Sequence, residues 1–256
     1  MARGSRTQTL TLAMKGAATD AHQARYHLAV TFLSSDPFSA LCSQRRSVRA
    51  YTAQPLPAGL LQQMLGVARQ APSGANLQPG SFIAVQGQAR QRLSAALTAA
   101  FQCGQQELED YAYFPQPLPT ALRRRQVAAA RALYGALGIG REDRAARDGQ
   151  FARNFSFFDA PVALVVTIRS DFGSGGYMDL GMALYGLMLA AQSCGLSSCA
   201  IGALASYPGL VRRHLGLQED STVVCGMALG YADMQAPVNQ TVTTRCELDE
   251  FFRVVD

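Results

Sequence analysis

A globular domain built from both helices and strands is what this 256-residue sequence predicts, and three observations predict it. Residues 162–168 (VALVVTI) are apolar at nearly every position, as in a strand covered on both faces. Residues 82–85 form a short apolar run that gives way to a helical stretch over 89–100. Residues 177–192 are apolar nearly all round the helix, which predicts a helix buried in a core or in a subunit interface.

Composition narrows the class. Apolar residues make up 48% and charged residues 16% of the chain, and a chain of this length buries about 70–75% of its unfolded surface without metals or disulfides. No run of 18 uncharged apolar residues is present, so no bilayer-spanning segment is predicted. The six cysteines are scattered and form no CxxC pair, which points to reduced thiols and a cytoplasmic protein. Only three histidines occur, none beside a candidate serine nucleophile or at ligand spacing, so no metal and no histidine-based hydrolysis are expected. The net charge of +5 is almost all arginine, Lys15 being the only lysine. One basic run, Arg123-Arg124-Arg125, stands on a helical segment without interleaved aromatics, so nucleic acid is not an expected partner.

Residues 1–35 carry no hydrophobic period and predict a mobile extension, with a transit peptide as the weaker alternative. The folded domain is expected over 36–256. Asp36 followed by Pro37 predicts a capped helix start, bringing Phe38, Leu41 and Cys42 onto one face and ending in Arg45-Arg46-Ser47. Leu60, Leu61, Met64, Leu65 and Ala68 recur at helical spacing until Pro72, and residues 73–79 are then a loop. Residues 101–125, with Pro115, Pro117 and Pro119, predict an irregular excursion whose aromatics suit a lid or an ordinary surface connection. A last apolar strand is expected over 222–231. The glycines Gly135, Gly138 and Gly140 follow a helical stretch rather than a strand, so they are not a dinucleotide fingerprint.

Three separated segments place donor-rich or basic residues in loops or at helix ends. In Arg45-Arg46-Ser47-Val48-Arg49, positions 45, 47 and 49 point one way once the chain is extended. Two guanidinium forks and a hydroxyl suit a phosphate, each charge-assisted bond being worth roughly 1.5–3 kcal/mol. Taken alone, the segment reads first as a solvated basic helix end. The Pro-bracketed loop 71–79 displays Asn76 and Gln78, whose amides both donate and accept and so match a ring edge of alternating carbonyls and N–H. In Thr243-Thr244-Arg245 a hydroxyl stands beside a guanidinium.

Residues 45–51 (RRSVRAY), 72–82 (PSGANLQPGSF), 178–199 (MDLGMALYGLMLAAQSCGLSSC) and 226–245 (GMALGYADMQAPVNQTVTTR) together resemble the nitroreductase family, over residues 37–256. Residues 137–161 are most similar to its nitrobenzoate and nitroaromatic reductases. The resemblance implies an α+β fold with a mixed central sheet flanked by helices, and a homodimer with FMN at the dimer interface. It implies that Arg45, Ser47 and Arg245 hold the FMN phosphate and ribityl chain and that Arg49 and Asn76 approach the isoalloxazine. The backbone of Ile201 and Gly202, after a turn at 195–199, would face flavin N5. Arg46, Ser73, Gln78 and Thr243 complete the expected cofactor-binding set. Gly80 stands where many members have tryptophan, and Thr243 where some have a basic residue.

The implied activity is hydride transfer from NAD(P)H through flavin N5 to a nitroaromatic, quinone or similar flat acceptor, by a ping-pong cycle with no protein acid or base. Tyr111, Tyr113, Phe114, Arg123 and Phe155 are the candidate substrate contacts, or else core aromatics and a solvated arginine. Two rivals remain: an FMN-dependent dehydrogenase or oxidase of a biosynthetic intermediate using O2, and a flavin-binding protein without turnover. Bleaching by a nicotinamide under anaerobic conditions separates the reductase from the first, and steady-state turnover of a nitroaromatic or quinone panel separates it from the second.

Overall fold

The computed structural model describes residues 36–255, so the expectations for residues 1–35 lie outside the described residues. The chain divides after Arg45 into two units. In the first, helix α1 (Pro37–Gln44) starts where expected, because the Asp36 carboxylate accepts from the backbone N–H groups of Phe38 and Ser39 at 3.0 and 3.2 Å. It ends one residue sooner than expected, since Arg45 is already extended (ψ 124°).

The second unit is organised by residues 162–168, which form β2 (Val162–Arg169). A four-stranded sheet runs in the order β1 (Ser81–Val85), β2, β4 (Ser221–Gly230), β3 (Ser197–Ile201). All three pairings are antiparallel. The parallel component among the described residues is the isolated bridge between Ser47 and Ser198. The expected turn over 195–199 is therefore corrected: Gly195, at φ +70°, closes the preceding helix, and the chain enters β3 two residues later.

Both faces of β2 are covered, which is why its sequence lacks polar alternation. Ala163 and Val165 face a cluster with Leu93 and Leu97 of α3 (Gly87–Gln102), Phe157 and Leu204. Val162 and Leu164 face Met64 and Ala68 of α2 (Leu60–Ala68) and Leu187 of α6 (Ser174–Ser193). Gly186 brings α2 and α6 close, since a Cβ there would lie 3.6 Å from the Ala68 Cα. One side of α6 is core, while Met178, Met182 and Tyr185 on the other are exposed in the single chain. The core reading of this helix holds for its buried side.

The irregular segment is shorter than expected, covering 103–119, because α4 (Thr120–Ala136) begins where the prolines end. Helices α5 (Arg144–Ala152), α7 (Pro208–Leu215) and α8 (Leu248–Phe251) complete the unit. No described helix is long and apolar enough to cross a membrane.

Candidate active site

After Arg46 the chain runs extended, and its alternation sorts it: Val48 and Ala50 are buried while Ser47 and Arg49 are not. The Val48 N–H donates to the Ser198 carbonyl at 3.1 Å, fixing the segment to β3. The Asn239 amide does the rest: its Oδ1 accepts from the Arg49 N–H at 2.8 Å, and its Nδ2 donates to the carbonyls of Ala50 and Asp233 at 2.8 and 2.9 Å. One side chain thereby ties the basic segment to the C-terminal arm. Sequence reasoning missed Asn239, whose only signal was an amide just after Pro237.

Arg49 opens into a cleft of about 730 Å³ walled by Tyr111, Tyr113, Phe114, Phe151 and Gly202. Among the described residues it is the only cation lining that cleft. Its Nη1 donates to the Ser47 carbonyl at 3.2 Å, and both lining carboxylates are otherwise engaged. Glu107 Oε2 accepts from Gly209 N and Leu210 N at 2.7 and 3.2 Å, at the start of α7, where the helix dipole favours a negative charge. Glu109 accepts from the Ser206 hydroxyl at 2.7 Å. Ile201 is buried at the end of β3, and Gly202 follows it into a 3-10 turn (Gly202–Ser206). A Cβ on Gly202 would lie 2.9 Å from the Tyr113 ring, so only glycine lets that ring rest on the backbone.

Residues 107–113 form a strap along this wall. Asp110 Oδ2 accepts from Arg212 Nη1 at 2.6 Å and from Val223 N at 3.1 Å. Burial, reinforced by the neighbouring Cys225, pushes the Tyr111 phenol far above its ordinary value, and burial raises Tyr113 too. Both phenols are therefore protonated donors at neutral pH.

Loop 71–80 lines a different cavity, of about 280 Å³, through Ser73, Gln78 and Gly80, with Phe82 of β1 and Asp179 of α6 completing the wall. Ala75, Asn76 and Gln78 all take left-handed φ values (49°, 58° and 49°), a costly conformation away from glycine. Internal bonds hold the loop there. Buried Asp179 accepts from Gly74 N at 3.0 Å, Ser73 Oγ from Gln78 N at 2.9 Å, and the Asn76 carbonyl from Gln78 Nε2 at 3.1 Å. The Asn76 amide is left exposed.

Within one chain the sequence-predicted set does not gather in one place. Arg49 and Gly202 share the aromatic cleft, Ser73 and Gln78 the second cavity, and the two share no lining residue. Arg46 and Ser47 are exposed, and Arg45 closes the first unit. Arg245 folds onto its own segment, its Nη1 donating to Thr243 Oγ1 at 3.1 Å, and lines neither cavity. Tyr111, Tyr113 and Phe114 do line the cleft. Phe155 is corrected: it is 1% exposed and packs against Phe101 and Tyr207, out of any acceptor's reach. Arg123 lies on α4, outside the cleft.

The donor chemistry fits a flavin. One guanidinium unpaired with any carboxylate, a glycine backbone that aromatic rings can approach, and flat aromatic walls are what an anionic ring system needs.

Comparison with known proteins identifies the family. The nitroreductase family model matches residues 42–231. The chain is 38% identical over 207 residues to a 4-nitrobenzoate reductase of Pseudomonas putida, covering 81% of this chain and 90% of that protein. The solved structure of an FMN and NADPH-dependent nitroreductase, NfnB, from sphigopyxis sp. strain HMH superposes with a TM-score of 0.83 at 36% identity, covering 86% of this chain and all of that one. The FMN-dependent nitroreductase NfnB from Mycobacterium smegmatis, solved in complex with NADPH, gives a TM-score of 0.80 at 30% identity, covering 84% and 96%. This chain belongs to the nitroreductase family.

Proposed function

We propose that the protein is an FMN-dependent reductase of nitroaromatic compounds, driven by NADPH or NADH, acting as a cytoplasmic homodimer with residues 36–256 as its catalytic domain. The observation that carries this reading is Arg49, among the described residues the single cation in an aromatic cleft lined also by Gly202. Relatives named for nitrobenzoate, chloronitrobenzene and nitrobenzene reduction support the substrate class. The six free cysteines suit a reducing compartment.

FMN, when bound, supplies the redox ring between nicotinamide and acceptor. The chain's own residues bind and orient. Arg49 would place positive charge against the ring, and Arg45, Arg46, Ser47, Thr243 and Arg245 would supply the phosphate and ribityl contacts. The backbone at Ile201 and Gly202 would face the reactive edge. Tyr111, Tyr113 and Phe114 exclude water and offer flat surface to the acceptor.

The separation of the two cavities supports a dimeric site. Ser73, Asn76 and Gln78 reach a flavin held by Arg49 if a second copy docks on the exposed apolar side of α6, at Met178, Met182 and Tyr185. Anaerobic absorption spectra test the whole reading. A yellow dimer that bleaches with a nicotinamide and is reoxidised by 4-nitrobenzoate is expected, whereas a colourless protein that refuses micromolar FMN overturns it.

A further inference from the structure

Helix α4 buries none of its 17 residues, and one side of it borders a groove unlike the rest of the surface. The groove, of about 460 Å³, is lined by Arg131, Arg141, Arg147, Tyr134, Val127 and Ile139. Through Val127 and Arg131 it continues into a second groove, of about 560 Å³, lined by Thr120, Arg123 and Arg124. Among the described residues no carboxylate lines either part. Among the described residues, ion pairs engage Arg125, Arg153, Arg169, Arg212 and Arg213, and none of the five groove arginines. The contrast within one helix is sharp: Arg125 pairs with Glu250, while Arg123, Arg124 and Arg131 face the groove.

Like charges gathered in a concavity repel one another and focus a positive potential that concentrates anions. Guanidinium forks match phosphate oxygens two at a time. The groove also holds a flat platform, since the Arg147 guanidinium lies 4.2 Å over the Tyr134 ring, a stack to which a purine can add. An apolar floor beneath several forks describes a phosphorylated nucleoside better than a bare inorganic ion.

Position supplies the second argument. Arg147 stands one turn before Phe151 on α5, and Phe151 lines the Arg49 cleft. The two are separated by about 6 Å of helical rise, a span that a ribose–pyrophosphate linkage covers. A dinucleotide with its nicotinamide in the cleft therefore has its second nucleotide directed toward the groove.

We propose that this arginine groove binds the phosphate-bearing adenosine half of NADPH and makes the phosphorylated dinucleotide the preferred reductant. The proposal rests on the reductase reading above, and its test separates the two. Calorimetry on the FMN-loaded protein with 2′,5′-ADP and 5′-AMP is expected to show the bisphosphate binding about tenfold or more tightly, as one extra charge-assisted contact requires. In steady state, 2′,5′-ADP is expected to compete with NADPH.

The Arg131→Ala, Arg141→Ala double variant is expected to lose that difference. Its ratio of kcat/KM for NADPH over NADH should fall about tenfold or more, with the flavin spectrum unchanged. Equal binding of the two nucleotides, or an unchanged ratio in a yellow variant, overturns the groove and leaves the reductase standing. A double variant with raised KM for 4-nitrobenzoate, but not for nitrobenzene or NADPH, assigns the groove to an acceptor carboxylate and also overturns it. A protein that takes no FMN removes the reductase reading and the groove proposal together.

Discussion

The Tyr111 hydroxyl donates a 2.7 Å hydrogen bond to the carbonyl of Val224, the residue that a bulge in β4 leaves unmatched on β2, where Val166 pairs with Cys225 and Thr167 with Val223. A bulge frees a backbone group from the ladder, and here a side chain from the strap takes it up. Removing that donor leaves a buried carbonyl unsatisfied, at a cost of about 1–3 kcal/mol. Tyr111→Phe is expected to lower stability by that amount in urea unfolding. It should also raise KM for flat acceptors more than it lowers kcat, because Tyr113, two residues on, loses its anchor. The chain has no tryptophan, so Tyr113→Trp supplies a single fluorophore. Its quenching by acrylamide should rise when Tyr111→Phe is added.

Asp110 holds the other end of that anchor. Its carboxylate serves Arg212 and Val223 N, with side-chain exposures of 19% and 16% for Arg212 and Asp110. Asp110→Ala leaves a partly buried guanidinium with only its 3.0 Å bond to the Ser221 carbonyl and strands the Val223 N–H, and is expected to cost about 2–4 kcal/mol. Asp110→Asn keeps an acceptor and should cost roughly half as much. Thermal unfolding of the two variants side by side checks the order.

Gly80 makes a sharper case. Its φ is +100°, and a Cβ would lie 2.5 Å from Leu180 Cδ1, on a side chain that is itself buried. Gly80→Ala therefore combines backbone strain with a clash that Leu180 has little room to relieve, and about 2–4 kcal/mol of destabilisation is expected. Adding Leu180→Ala should recover part of the clash but none of the φ cost. A double-mutant cycle by denaturant unfolding measures the coupling.

These residues also mark where the sequence was legible. The apolar run at 162–168 announced a covered strand because period and burial say the same thing when both faces are packed. The alternation at 47–50 and the capped start at Asp36-Pro37 were legible for the same local reason. Strand β3 was not: Ser197, Ser198 and Cys199 carry little strand propensity, and pairing with β4 decides their conformation. Phe155 was misread because composition cannot tell an aromatic wall from an aromatic core. Asn239 was invisible because its role depends on a contact 190 positions away. The two-cavity arrangement could not be foreseen, since motif order along a chain does not say which segments share a cavity.

Cys225 gives a pH dependence with a definite sign. Burial pushes its thiol up to about 12 from an ordinary 9.0, so the folded state keeps a proton that the unfolded chain releases. Its contribution is fully present below about pH 9 and is lost as pH climbs toward 12, at no more than about 1.4 kcal/mol per pH unit. Stability should fall over that window and fall less steeply in Cys225→Ala, as urea midpoints at each pH would show. The same burial predicts that iodoacetamide at pH 8 alkylates exposed Cys103 and Cys194 and spares Cys225. Labelling of Cys225 in the folded protein, read by mass spectrometry, would refute its burial.

In the proposed site Arg49 carries the electrostatic half of the function. Among the described residues it is the only cation lining the aromatic cleft, its backbone is pinned by Asn239, and neither Glu107 nor Glu109 neutralises it. A fixed positive charge favours whichever redox state of a neighbouring ring bears more negative charge, and the reduced flavin does. Arg49→Ala is expected to lower the two-electron midpoint potential of bound FMN by roughly 30–60 mV, equivalent to about 1.4–2.8 kcal/mol. Arg49→Lys keeps the charge and should lose less than half of that. Asn239→Ala leaves the guanidinium in place but frees its backbone, so a smaller shift is expected, together with weaker FMN retention on dialysis. Dye-equilibrated reduction of the three FMN-loaded variants orders them. An Arg49→Ala potential equal to the parent's would mean that the guanidinium does not face the ring.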